Sequence, residues 1–238
     1  MNVMHTDTPI PLILSIETAT PVCSVALHSG GKLIGIHETF TDKSHSSNLI
    51  PMIAELLSDK GMTYSDLNAV AVSKGPGSYT GLRIGVSTAK GICYARNIPL
   101  IGVSTLEALV RKVINEIGES DVYYCPMLDA RRMEVYTMLV DHSGKIILPE
   151  SAMIIEENSF NDIPDTQRII LFGPGSDKCR EILSGRPNLF VTGGHRVSAS
   201  SVGEVACTKY QNREFENTAL FEPFYLKEYR TTVPKSRL

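Results

Sequence analysis

Along this chain the spacing of hydrophobic positions switches between strand and helix periods, and the switches mark the elements. Residues 12–17 read LILSIE, an apolar run of strand length that stops on a carboxylate. Residues 22–28 (VCSVALH) follow after a Thr-Ala-Thr-Pro break, and Ser29-Gly30-Gly31 turns the chain into a third run at 32–37. Three strands joined this tightly predict an antiparallel meander. Across 44–61 the apolar residues Leu49, Ile50, Ile53, Leu56 and Leu57 move to helical spacing, with Ser46 or Ser47 as N-cap and Gly61 as C-cap. A continuous apolar run at 69–73 ends in Gly-Pro-Gly, as a buried strand should. A helix over 79–95, a strand over 99–103 and a helix over 105–117 complete the first half.

The pattern then restarts. Residues 123–129, 134–141 and 145–154 predict a second meander, and 168–172 a strand running into a second Gly-Pro-Gly. A helix over 177–184, a strand over 189–192 and a helix over 200–210 follow. Both copies end their first strand on a carboxylate, Glu17 and Asp129, and both pass through His-Ser-Gly before a lysine. The tetrapeptide GPGS recurs at 75–78 and 173–176 in the same relative place. Two matches in one order indicate duplication. A meander followed by alternating helices and parallel strands, present twice, predicts an α/β protein of two duplicated lobes. That is the actin-like ATPase, or ribonuclease-H-like, superfold. The expected division is an N-terminal lobe over 1–104, a C-terminal lobe over 105–222 and a tail over 223–238.

Composition narrows the function classes. The net charge of -3 carries no global basic field. No apolar run approaches the roughly 18 residues of a membrane span, and the first residues lack the basic start of a signal peptide. Five cysteines without a CxxC pair read as small core residues of a cytoplasmic protein.

The segment from Ser73 to Gly85 joins a buried strand to a helix, where glycines let backbone N–H groups approach an anion. It is not a P-loop, since Lys74 precedes the turn. Two readings stay open for Gly75, Gly77, Ser78, Gly173 and Gly175: a phosphate cradle, or close packing of backbone. Gly81, Gly85 and Ala89 fall four apart and make a small-residue stripe that lets another backbone come close, either the lobe's own sheet or a partner helix, and they are counted with the expected partner surface. Glu17 and Asp129, facing the expected cleft, could serve as an acid–base pair or hold a metal–nucleotide. The helix over 46–60 is apolar nearly all round, so Leu49, Met52, Ile53 and Leu56 are expected to meet a partner as well as their own sheet. Lys227, Arg230, Lys235 and Arg237 outnumber Glu222 and Glu228 in the last stretch.

The segments IETATPVCSVAL (16–27), SKGPGSYTGLRIGVSTAKGICYA (73–95), IPLIGVSTLEAL (98–109) and MLDARRMEVY (127–136) resemble the TsaB family, once called YeaZ. The terminal Pro223, Tyr225 and Leu226 resemble that family's last element. The resemblance implies a non-catalytic subunit that pairs, through N-lobe helices, with a TsaD-type catalytic subunit. The complex, with a TsaE-type ATPase, installs threonylcarbamoyl on an anticodon-loop adenosine of tRNA. It also implies an indirect contact with tRNA, a homodimer when the chain is isolated, and no cofactor of its own, ATP or ADP entering only within the complex. The catalytic paralogue carries His-x-x-x-His for a metal, and here Thr105 and Leu109 stand at those places. None of the six histidines has another three or four residues away. The alternatives are a glycoprotease-type metallopeptidase, which would need that pair, and a nucleotide-binding kinase of the same superfold.

Overall fold

The computed structural model describes residues 10–40 and 45–227 of the chain. Among these residues ten strands form two sheets. The first half contributes β1 (Leu12–Glu17), β2 (Cys23–Ser29), β3 (Lys32–Thr39), β4 (Ala69–Gly75) and β5 (Leu100–Ser104), in the order β3-β2-β1-β4-β5. The second contributes β6 (Val122–Asp129), β7 (Glu134–Val140), β8 (Ile146–Ile154), β9 (Arg168–Phe172) and β10 (Leu189–Thr192), in the order β8-β7-β6-β9-β10. In each sheet the first three strands pair antiparallel, and the last two add in parallel on the far side of the first. The topologies are identical. Glu17 and Asp129 are each the last residue of the first strand, as the duplication predicts.

Among the described residues four α-helices fill the remaining layers: α1 (His45–Asp59), α2 (Tyr79–Arg96), α3 (Thr105–Ile117) and α4 (Ala199–Gln211). Alternation along the strands decides what each face meets. Leu12, Leu14, Ile16, Val70 and Val72 pack with Leu49, Ile53, Leu57 and Val86 of α1 and α2. Ile13, Ala69, Ala71, Ile101 and Val103 point the other way and share one core with α3, α4 and the inner face of the second sheet, including Tyr124, Ile170 and Phe172. β1, β4 and β5 are buried on both sides, which is why they read as unbroken apolar runs. The layers run α1/α2, sheet, α3/α4, sheet. Although α4 belongs to the second half of the chain, it lies on β1 and β2 of the first. Its N-terminus is tied there: the Ala199 N–H donates to Ser24 Oγ at 3.0 Å, and Glu38 accepts from Ser24 and from Ser198.

Two expectations are corrected. The helix over 177–184 is a single 3-10 turn, Asp177–Cys179, followed by further turns. Cys179 and Leu183 are buried at helical spacing, but Gly185 and Pro187 stop the segment before it can propagate. The outer layer of the second lobe is therefore made of turns where the first lobe has α1 and α2. At the start of α1, Ser46 and Ser47 lie inside the first turn and are not its cap. Among the described residues no helix is long and apolar enough to cross a membrane.

Candidate functional site

Where β1 ends, the turn at 17–20 sits against the first GPGS loop. Glu17 is fully buried. Its Oε1 accepts the Ala19 N–H at 2.6 Å, and its Oε2 accepts the Ser73 hydroxyl from β4. Burial outweighs these donors and pushes the carboxyl up to about 7. Glu17 binds the turn to β4 and does not present its charge to a cleft, contrary to the expectation.

The glycine loop serves the same junction. The Ser78 N–H donates to the Ala19 carbonyl at 2.7 Å, and Ser78 Oγ accepts the Gly81 N–H at 3.3 Å as the cap of α2. The Thr18 hydroxyl donates to the Gly81 carbonyl at 2.8 Å. A Cβ on Gly77 would run into Ala19, and one on Gly81 or Gly85 into Thr18. Gly75 has φ +118°, and its Cβ would lie 2.5 Å from the Phe224 carbonyl oxygen. In the second lobe Gly175 N–H donates to Met127 O at 2.8 Å, Ser176 Oγ donates to Gly173 O at 2.8 Å, and Gly173 sits at φ +102° against Met127. Of the two open readings, close packing describes Gly75, Gly77, Ser78, Gly173 and Gly175. The N–H groups of Ser78 and Gly175 already have partners.

Asp129 has the opposite environment to its counterpart. It is exposed, pairs with Lys178 at 2.5 Å and accepts the Arg131 N–H at 2.8 Å. Partial burial works to raise its pKa, but the hydrogen bonds from Lys178 and Arg131 prevail and hold it below the usual carboxylate value. Sequence reasoning missed Lys178, Ser73 and Thr18; only the placement of Thr18 beside Glu17 could have drawn attention to it. Thr105 and Leu109 are both fully buried in the shared core, and the Thr105 hydroxyl has no partner. Among the described residues no group of three His, Cys, Asp or Glu side chains could hold a metal.

The expected partner surface is also corrected. Leu49, Ile53 and Leu56 are buried in the core of their own lobe, Met52 is half-buried, and Ala89 is fully covered. Gly81 and Gly85 face Thr18. The side of α1 and α2 that remains open carries Ile50 (49 % exposed), Ala54, Gly91 and Tyr94 (87 % exposed). A Cβ on Gly91 would meet nothing.

A strap over 214–227 returns across the first lobe. The Glu216 N–H bonds Leu100 O at 2.9 Å, Phe221 enters the core beside Gly102, and Lys90 Nζ holds the Phe221 carbonyl at 2.8 Å. The Phe224 N–H then donates to Lys74 O at 2.7 Å, Tyr225 stacks on Tyr79 with centroids 4.8 Å apart, and Lys227 pairs with Glu134 of the second lobe. Arg230, Lys235 and Arg237 lie outside the described residues.

Comparison with known proteins gives the family and the fold. The family model described as TsaD, tRNA N6-adenosine threonylcarbamoyltransferase, matches residues 24–233. The tRNA threonylcarbamoyladenosine biosynthesis protein TsaB of Escherichia coli (strain K12) is 39 % identical over 124 residues, 52 % of this chain and 52 % of that one. TsaB of Bacillus subtilis (strain 168) is 37 % identical over 135 residues, 57 % of each chain. The chain thus spans about half the length of the curated relatives it matches. The solved structure of YeaZ from Pseudomonas aeruginosa superposes with a TM-score of 0.77 at 26 % identity, covering 91 % of this chain and 100 % of that one.

Proposed function

Because this chain belongs to the TsaD family of tRNA N6-adenosine threonylcarbamoyltransferase proteins and resembles TsaB and YeaZ within it, we propose that it supports threonylcarbamoylation of a tRNA adenosine as a non-catalytic, pairing subunit. The observation that carries this reading is the burial of Thr105 and Leu109 in the interlobe core. By resemblance, these positions hold the metal-binding histidines of the catalytic paralogue. A threonine hydroxyl and a leucine sealed from solvent cannot take their place.

The pairing surface in this reading is the open side of α1 and α2, which pack along each other. Ile50, Ala54, Gly91 and Tyr94 are exposed small or apolar residues of these two helices, and the open space at Gly91 lets a partner backbone approach. A TsaD-type subunit is the expected occupant, a second copy of this chain occupies the same face in isolation, and a TsaE-type ATPase joins the assembly. In this reading nucleotide enters only within that complex; the Ser78 and Gly175 N–H groups, bonded to the Ala19 and Met127 carbonyls, support it.

Reconstitution tests the proposal. A purified TsaD-type subunit with tRNA, ATP, bicarbonate and labelled threonine, supplied with the threonylcarbamoyl-adenylate-forming and TsaE-type enzymes, is assayed with and without this chain. Label is expected in tRNA only when both subunits are present. Equal labelling without this chain, or labelling by this chain with the TsaD-type subunit omitted, would sink the reading.

A further inference from the structure

At the N-terminal end of α2, the strap meets the helix in a cluster of aromatic and cationic side chains. Tyr225 lies on Tyr79 with an interplanar angle of 29°, and Arg83 stands over the other ring at 5.5 Å from its centroid, its Nη1 donating to the Tyr79 hydroxyl at 3.2 Å. Phe224 and Tyr225 remain 42 % and 39 % exposed. From there the strap crosses to the second lobe, where Lys227 pairs with Glu134 and Lys178 with Asp129. Arg131 acts on the Tyr136 hydroxyl together with Lys227 and Glu134, so it belongs to the same neighbourhood. Arg131 and Arg132 are exposed and adopt φ of +71° and +49°, a left-handed conformation that arginine rarely takes. The tight turn between β6 and β7 holds both cations at the surface.

Charge distinguishes this region from the rest of the molecule. Arg83, Arg131, Arg132, Lys178 and Lys227 are gathered there against Asp129, Glu134 and Glu222, on a chain whose net charge is -3. Behind the strap, Lys74 is matched by Glu216. Exposed aromatic rings interleaved with cations are the chemistry that binds unpaired bases and the phosphates between them. A protein partner would more often meet an apolar core ringed by polar groups.

We infer that Tyr225, Tyr79 and Arg83, with Arg131 and Arg132 of the second lobe, form a contact surface for a single-stranded segment of RNA. Choosing RNA as the occupant rests on the tRNA-modification role proposed above. The exposed ring of Tyr225, backed by Tyr79 and Arg83, stacks on a base, and the two arginines of the second lobe follow the backbone.

The test uses the full chain and two fluorescein-labelled probes, a 12-nucleotide oligouridine and a tRNA anticodon stem-loop, read by anisotropy. Tyr225→Ala is expected to weaken binding of both by about tenfold, while Tyr225→Phe binds as the native chain does. The double variant Arg131→Ala/Arg132→Ala is expected to lower the slope of log K against log salt by about 1.4. Unchanged melting temperatures establish that the variants are folded. Native affinity in folded Tyr225→Ala, or no binding by the native chain at low salt, overturns the surface. So does loss of the TsaD-type subunit on co-purification of Tyr225→Ala without a change in RNA affinity, since the region would then be a protein interface. The labelling assay separates the two proposals. RNA binding lost in the variants, with labelling indifferent to this chain, fails the role and upholds the surface; the reverse result fails the surface alone.

Discussion

Glu17 and His28 stand on neighbouring strands, both buried, and they titrate in opposite senses. The Glu17 carboxyl is raised from 4.5 to about 7 by burial, so the folded chain holds a proton that the unfolded chain releases. Its contribution to stability is complete below about pH 4.5 and is lost as pH rises through about 7, a change on the order of 3 kcal/mol. In urea unfolding between pH 5 and 8, Glu17→Gln is expected to remove this decline; parallel curves for the two proteins would show the native carboxyl to be ionised throughout. His28 has neither ring nitrogen paired, and burial lowers its pKa. The folded state excludes the proton that the unfolded state accepts near 6.5, so stability falls as pH drops below that value. Its ring resonances should therefore titrate at lower pH than those of a free imidazole, and a midpoint at or above 6.5 would contradict the burial. The sequence located Glu17 at a strand end, but its environment is made by Ser73, 56 residues away, and no local pattern reports such a partner.

Helices test the same limit at the next scale. The period of α1 was legible, and so was the apolar excess around it, but not which apolar side chains turn outward. Leu49, Ile53 and Leu56 follow the sheet below them, which leaves Ile50 and Ala54 outside. The small-residue stripe of α2 likewise divides into two kinds of glycine. Gly81→Ala would force a Cβ into Thr18 and should destabilise by about 1–3 kcal/mol, whereas Gly91→Ala fills open space and should stabilise by about 0.5–1 kcal/mol. At about 2–4 °C per kcal/mol for a chain of this size, a thermal melt resolves the two. Tyr94→Glu should leave the melting temperature in place and abolish pairing on size-exclusion chromatography; pairing that survives would move the interface elsewhere. In the second lobe Cys179 and Leu183 are buried four residues apart without a helix between them, because burying two residues requires only a turn.

For the molecule as a whole, duplication was the most legible property, since each half repeats its meander and its GPGS junction in one order. The exchange between halves was not legible, because nothing in the local pattern of residues 199–211 says which sheet the helix will cover. The strap shares this character. Phe221→Ala would empty a site lined by Gly102 and the first-lobe core, and should lower the unfolding free energy by about 3 kcal/mol in urea titration. A melt unchanged by that substitution would mean the strap is not docked there. Chain order then sets a constraint on biosynthesis. Strands β1, β4 and β5 leave the ribosome early, yet the face carrying Ile13, Ala71 and Ile101 is covered only in part by α3 until α4, the last helix among the described residues, has been translated. The first half cannot close as an independent unit during elongation, as early-emerging domains usually do. A ribosome-bound nascent chain stalled before residue 199 should be cut readily throughout its first half, and one released after the strap should resist the same protease.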